Sequence, residues 1–91
     1  MEGKVPHIVL TLYVVPFSTA CQRAVTTLTR VLEAGYKGRY ELHVIDIRAN
    51  PDVTIAKNIY AVPLLEREQP LPVRKLLGDM SDAATLEKFL G

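Results

Sequence analysis

At 91 residues, 48% of them hydrophobic, the chain suits one domain around one modest core. Lys and Arg total 11 against 10 for Asp and Glu, a formal charge of +1, and these charges are scattered, which argues against a strong electrostatic grip on nucleic acid or a membrane surface. One cysteine excludes an internal disulfide, no apolar run approaches the roughly 18 residues of a membrane span, and the opening MEGKVPHIVL lacks a secretory leader pattern, so a reducing cytoplasm is the expected setting.

Ile8 to Val15 is rich in Val, Ile, Leu, Thr and Tyr, apolar on both sides of the alternation, and reads as a buried central strand. Ser18 can cap a helix in which Cys21, Val25, Leu28 and Leu32 recur at helical spacing beside Ala24 and Val31, until Gly35 stops it. Tyr40 to Ile47, "YELHVIDI", is a second strand, and the three elements form a right-handed βαβ unit with parallel strands. Asn50 and Pro51 suit the N-cap and first position of a helix through about Asn58. Leu64 to Glu68 and Val73 to Leu77 are short strands of a hairpin, joined by Gln69-Pro70-Leu71-Pro72 because proline lacks a ladder donor. Gly78-Asp79 turns the chain, and Ser81 can cap a last helix carrying the apolar stripe Ala83, Leu86, Phe89 and Leu90. The order is βαβαββα.

This order, with Val62-Pro63 just before the third strand, resembles the thioredoxin and glutaredoxin fold, an α/β fold with a central mixed four-stranded sheet. The resemblance makes Pro63 the cis-proline candidate and places Ser18 and Cys21 where a redox motif has its two cysteines. Dithiol exchange needs an exposed thiolate to attack and a second thiol to resolve the mixed disulfide, and Ser18 supplies neither. Cys21 is expected to be a small buried hydrophobe on the inner stripe of the helix. No catalytic residue, metal site or cofactor is expected. His7 and His43 are far apart without metal-ligand spacing, and His43, Asp46 and Ser18 have no nucleophile elbow. There is no glycine-rich phosphate loop, and Tyr13, Tyr36, Tyr40 and Tyr60 are not spaced as a stacking platform.

A closer resemblance lies in "LTLYV" (Leu10 to Val14), "YKGRYELHVIDIRANP" (Tyr36 to Pro51), "AVPLL" (Ala61 to Leu65) and "PLPVRKLLGDMSD" (Pro70 to Asp82). On these blocks the sequence is identified as a member of the KaiB family of circadian-clock proteins; it also resembles the thioredoxin-like input domain of the sensor kinase SasA, but the "GDMSD" block favours KaiB proper. The resemblance implies a binding protein without catalysis, whose partner is a KaiC-like ATPase, an association that in clock systems sequesters KaiA and displaces the SasA kinase. It also implies two accessible folds, a thioredoxin-like monomer and a tetrameric βαββααβ state, which share the first βαβ half and differ after about Ile47. The chain ends at Gly91 without the acidic C-terminal segment of tetramer-forming members, and "VTIAKNIYAVPLL" replaces a more acidic stretch, so the thioredoxin-like monomer is expected, in a clock or in another signalling pathway.

Partner contacts are expected from basic side chains. Arg23 and Arg30 lie seven apart on the polar face of the first helix, Arg74 and Lys75 adjoin the fourth strand, and Arg23, Lys57 and Arg74 fall where the resemblance implies basic or polar contacts. The alternative is a glutathione-binding or thioredoxin-like redox domain, with Ser18, Val62 and Pro63 as its site. Against it, Gly78-Asp79-Met80-Ser81 does not match the glutamate-serine pair of glutathione transferases.

Overall fold

The computed structural model describes residues 8–91; His7 lies outside them. Its elements are β1 (Ile8–Val14), α1 (Thr19–Gly35), β2 (Tyr40–Asp46), α2 (Pro51–Ala56), β3 (Leu64–Gln69), β4 (Arg74–Leu77) and α3 (Ala83–Leu90). They form a mixed four-stranded sheet in the order β2-β1-β3-β4. β1 runs parallel to β2 and antiparallel to β3, and β4 runs antiparallel to β3. The parallel pair follows from the α1 crossover, and the antiparallel pair from a four-residue proline loop too short for any other return.

Alternation along β1 divides the sheet into two unlike faces. Leu10, Leu12 and Val14 point into a core shared with Cys21, Ala24, Leu28 and Leu32 of α1, Leu65 of β3, and Met80, Leu86 and Leu90 around α3. Leu10, Leu12, Leu28, Leu32, Leu65 and Leu86 are fully buried, each contributing roughly 1.5–3 kcal/mol relative to exposure. The opposite face of β1 carries Thr11 and Tyr13, which are buried as well. Lys57, the C-cap of α2, reaches across that face to Glu66 of β3, so the end of α2 lies over it.

Boundaries depart from expectation where local chemistry competes. Asn50 does precede α2, but its side chain makes no cap; its amide donates to the carbonyl of Asp46 at 2.9 Å. Thr54 donates back to Ile47 and Asn50 at 3.0 and 3.1 Å. The helix closes at Ala56, short of Asn58, because Asn58 takes φ +54, the left-handed region that asparagine tolerates better than most residues. At α3 the cap is Asp82, one residue after Ser81: its carboxylate accepts from the Ala84 amide at 3.1 Å and the Thr85 hydroxyl at 2.8 Å. Ser81 instead donates its amide to Asp79 at 2.9 Å.

Candidate partner-binding surface

The loop from β1 into α1 keeps the frame of a redox motif and fills it with structural roles. Ser18 has extended backbone (φ -85, ψ 125), and its Oγ accepts from the Cys21 amide at 3.2 Å, satisfying one of the free donors of the first turn. Cys21 is 1% exposed, and its sulfur lies 3.5 Å from the Val15 amide. A thiol enclosed in the core has no approach path for a disulfide substrate. The Val62–Pro63 peptide bond is cis, as are Gln69–Pro70 and Leu71–Pro72. Pro63 is buried, and its carbonyl accepts from the Gly78 amide at 3.3 Å, which ties the loop before β3 to the turn after β4.

The five basic residues expected to meet a partner fall into four environments. Arg23 and Arg30 are exposed on α1 and line one groove of about 440 Å³, together with Thr19, Gln22, Thr26, Thr27 and Ser81. Lys57, itself exposed, reaches down to the sheet, its ammonium 3.3 Å from the Glu66 carboxylate, whose side chain is only 6% exposed. Arg74 lies over the Phe89 ring, 5.8 Å from its centroid. Lys75 is exposed and stands opposite Glu66 in the β3–β4 register, so it projects from the other side of the sheet to Arg74, which stands opposite Arg67. Arg23 and Arg30 are therefore brought together, while Arg74 and Lys75, although adjacent in sequence, belong to different faces.

Sequence reasoning missed a polar cluster under the end of α2. The Tyr13 hydroxyl lies 3.4 Å from Glu66 Oε1, the same oxygen that Lys57 approaches, and the Thr11 hydroxyl donates to Glu68 at 3.0 Å. Burial, reinforced by the Glu66 charge, raises the Tyr13 phenol above its ordinary value of 10.0. The hydrogen bond to Glu66 outweighs burial and raises the Lys57 ammonium above its ordinary 10.5. The available signal was the strand "LLEREQ", in which Glu66 and Glu68 occupy one face opposite Leu65 and Arg67. His43 contacts Glu41 on the exposed edge strand β2. Among the described residues no group of three or more His, Cys, Asp or Glu is placed to hold a metal ion.

The arrangement of strands and helices, with a cis-proline directly before β3, defines a thioredoxin-like domain. Chloroplastic thioredoxin z matches with a TM-score of 0.80 at 18% identity, covering 99% of this chain and 94% of that one. The N-terminal domain of SasA from Synechococcus elongatus matches with a TM-score of 0.73 at 22% identity, covering 99% and 89%. Within that class the sequence is more specific: residues 11–91 match the KaiB domain. The circadian clock oscillator protein KaiB of Picosynechococcus is 45% identical over 74 residues, 81% of this chain and 71% of its own length. The chain belongs to the KaiB family.

Proposed function

We propose that this protein is a non-catalytic binding module that associates with a KaiC-family ATPase and modulates its output, in a clock or a related signalling pathway. The observation that carries this reading is family membership over nearly the whole domain, at 45% identity to a clock oscillator protein. The thioredoxin frame supports it, since the one sulfur is enclosed and the serine in the other motif position is engaged as a helix cap. On the ATPase the protein would sequester a KaiA-like partner and displace a SasA-like kinase. The protein would act as a cytoplasmic monomer in the βαβαββα state. The second half is where the family's other arrangement, βαββααβ, would differ, and α2 is the element best suited to give way: it buries none of its own residues, whereas α1 buries six.

The test is co-sedimentation of the purified chain with the KaiC-family ATPase of its host under ATP-hydrolysing conditions, paired with an insulin-reduction assay. Association without reductase activity is expected. Reduction of insulin that vanishes in Cys21→Ser would replace this reading with the redox one.

A further inference from the structure

The arginines of this chain differ in what occupies them. Arg39 donates to the Gly35 carbonyl at 2.7 Å and lies over Tyr36, and Arg48 pairs with Asp46 and stacks on Phe17. Arg67 donates to the Pro72 carbonyl, and Arg74 covers Phe89. Among the described residues, Arg23 and Arg30 alone of the six make no hydrogen bond, ion pair or ring contact with a side chain or loop, and they line the same groove.

Every residue that lines that groove is polar or cationic. Thr26 lies between the arginines on the helix surface, and Thr27, 7% exposed, sits at its floor. Ser81 contributes from the loop before α3. None of the lining residues is acidic. The carboxylates close by in sequence are engaged elsewhere: Glu33, one turn beyond Arg30, accepts from the Tyr40 hydroxyl, and Asp82 caps α3. Seven helical residues place the two arginine backbones about 10.5 Å apart along the axis of α1.

We propose that this groove is the docking site for an acidic segment of a partner polypeptide, which presents two carboxylates about 10 Å apart on one face. Charge complementarity selects the occupant: two unengaged guanidinium forks with hydroxyl donors between them match carboxylate oxygens at either end and a polar contact in the middle. A helix with acidic side chains seven residues apart has that spacing. Nucleic acid fits less well, because the groove has no aromatic side chain for base stacking and the chain carries a net charge of only +1. The proposal rests on the reading of this chain as a binding module, and it specifies the chemistry of one contact, not the identity of the ATPase.

The experiment titrates the full chain with a fluorescent helical peptide bearing glutamate at positions seven apart, and with the same peptide carrying glutamine there. The binding site is located by amide chemical-shift changes. Expected are binding of the acidic peptide alone, weakening with salt, with shifts centred on Thr26, Thr27 and Ser81. Arg23→Gln and Arg30→Gln should each weaken binding roughly fivefold, the upper end for an exposed pair, and together about twenty-five-fold, since sites this far apart add. Lys88→Gln, exposed on α3, should leave it unchanged. Equal binding of the glutamine peptide, full affinity in the double variant, shifts elsewhere, or tighter binding of a single-stranded oligonucleotide in the same groove would each overturn the proposal. A chain that binds the ATPase but ignores the peptide refutes only this inference. One that binds the peptide through both arginines but no KaiC-family ATPase refutes only the partner.

Discussion

Replacing Lys57 with methionine keeps the aliphatic stem and removes the one cation that pairs with Glu66 among the described residues. Two effects set the cost. The ion pair itself is screened, because the Lys57 side chain is 44% exposed, and such pairs are worth about 1 kcal/mol or less. The larger effect is on Glu66, 5% exposed, which would retain only the long 3.4 Å contact to the Tyr13 hydroxyl; a buried polar group left short of partners costs about 1–3 kcal/mol. Together these give a destabilisation of about 1–4 kcal/mol for Lys57→Met. In a domain of this size, each kcal/mol shifts the midpoint by about 4–8 °C. Glu66→Gln should cost less, because its carbonyl can still accept from Tyr13 and no uncompensated charge stays behind. The double variant should be less destabilised than the sum of the singles, with a coupling of at least about 0.5 kcal/mol. The pH dependence has a fixed sign. Lys57 and Tyr13 both have folded pKa values raised above their ordinary 10.5 and 10.0. Their contribution is therefore fully present below those ordinary values and is lost as pH rises through the raised ones. Urea denaturation at pH 7 and pH 11 measures both effects: the wild type should lose more stability at the higher pH than the Lys57→Met, Tyr13→Phe variant. A Lys57→Met chain within a few tenths of a kcal/mol of wild type, or strict additivity with Glu66→Gln, would refute the reasoning.

Core and cap residues give simpler expectations. Leu28→Ala, at a fully buried position, should cost about 2–5 kcal/mol by chemical denaturation. Ser18→Ala should cost about 1 kcal/mol, since it removes the oxygen that accepts from the Cys21 amide. The Cys21 thiol should react with a disulfide reagent such as DTNB only as fast as the chain opens, and much faster in denaturant; rapid stoichiometric labelling of the native protein would contradict its burial.

The first half of the fold was legible because its signals are local. The apolar run of β1 and the helical stripe from Cys21 to Leu32 each report their own burial, and Ser18 announces the start of α1 by its type and place. The hairpin could be read from its prolines. What escaped depended on contacts distant in sequence or on competition between neighbours. Two capping residues stand side by side before α3, and Asp82, not Ser81, takes the role because its carboxylate can accept from both Ala84 and Thr85. Lys57 reads as a solvated charge until β3 brings Glu66 beneath it, and Tyr13 meets the same carboxylate across 53 positions of sequence. Arg74 likewise looks like a free surface charge, and only the packing of α3 places Phe89 under it. Arg23 and Arg30 were the exception, since a spacing of seven in one helix puts two side chains on one face whatever the tertiary fold. That both stay unpaired was not legible, because Glu33 is engaged by Tyr40 of β2 and Ser81 joins the groove only through the turn after β4.

The central claim is that a thioredoxin scaffold here serves recognition. Its most direct test is sedimentation velocity of the labelled chain alone and with the KaiC-family ATPase of the same organism in the presence of ATP. The expected result is a monomer that moves into the faster-sedimenting ATPase boundary, with Cys21→Ser shifting as the wild type does. A chain that stays at its own sedimentation rate at every ATPase concentration, or that associates only when Cys21 is intact and oxidised, would contradict it.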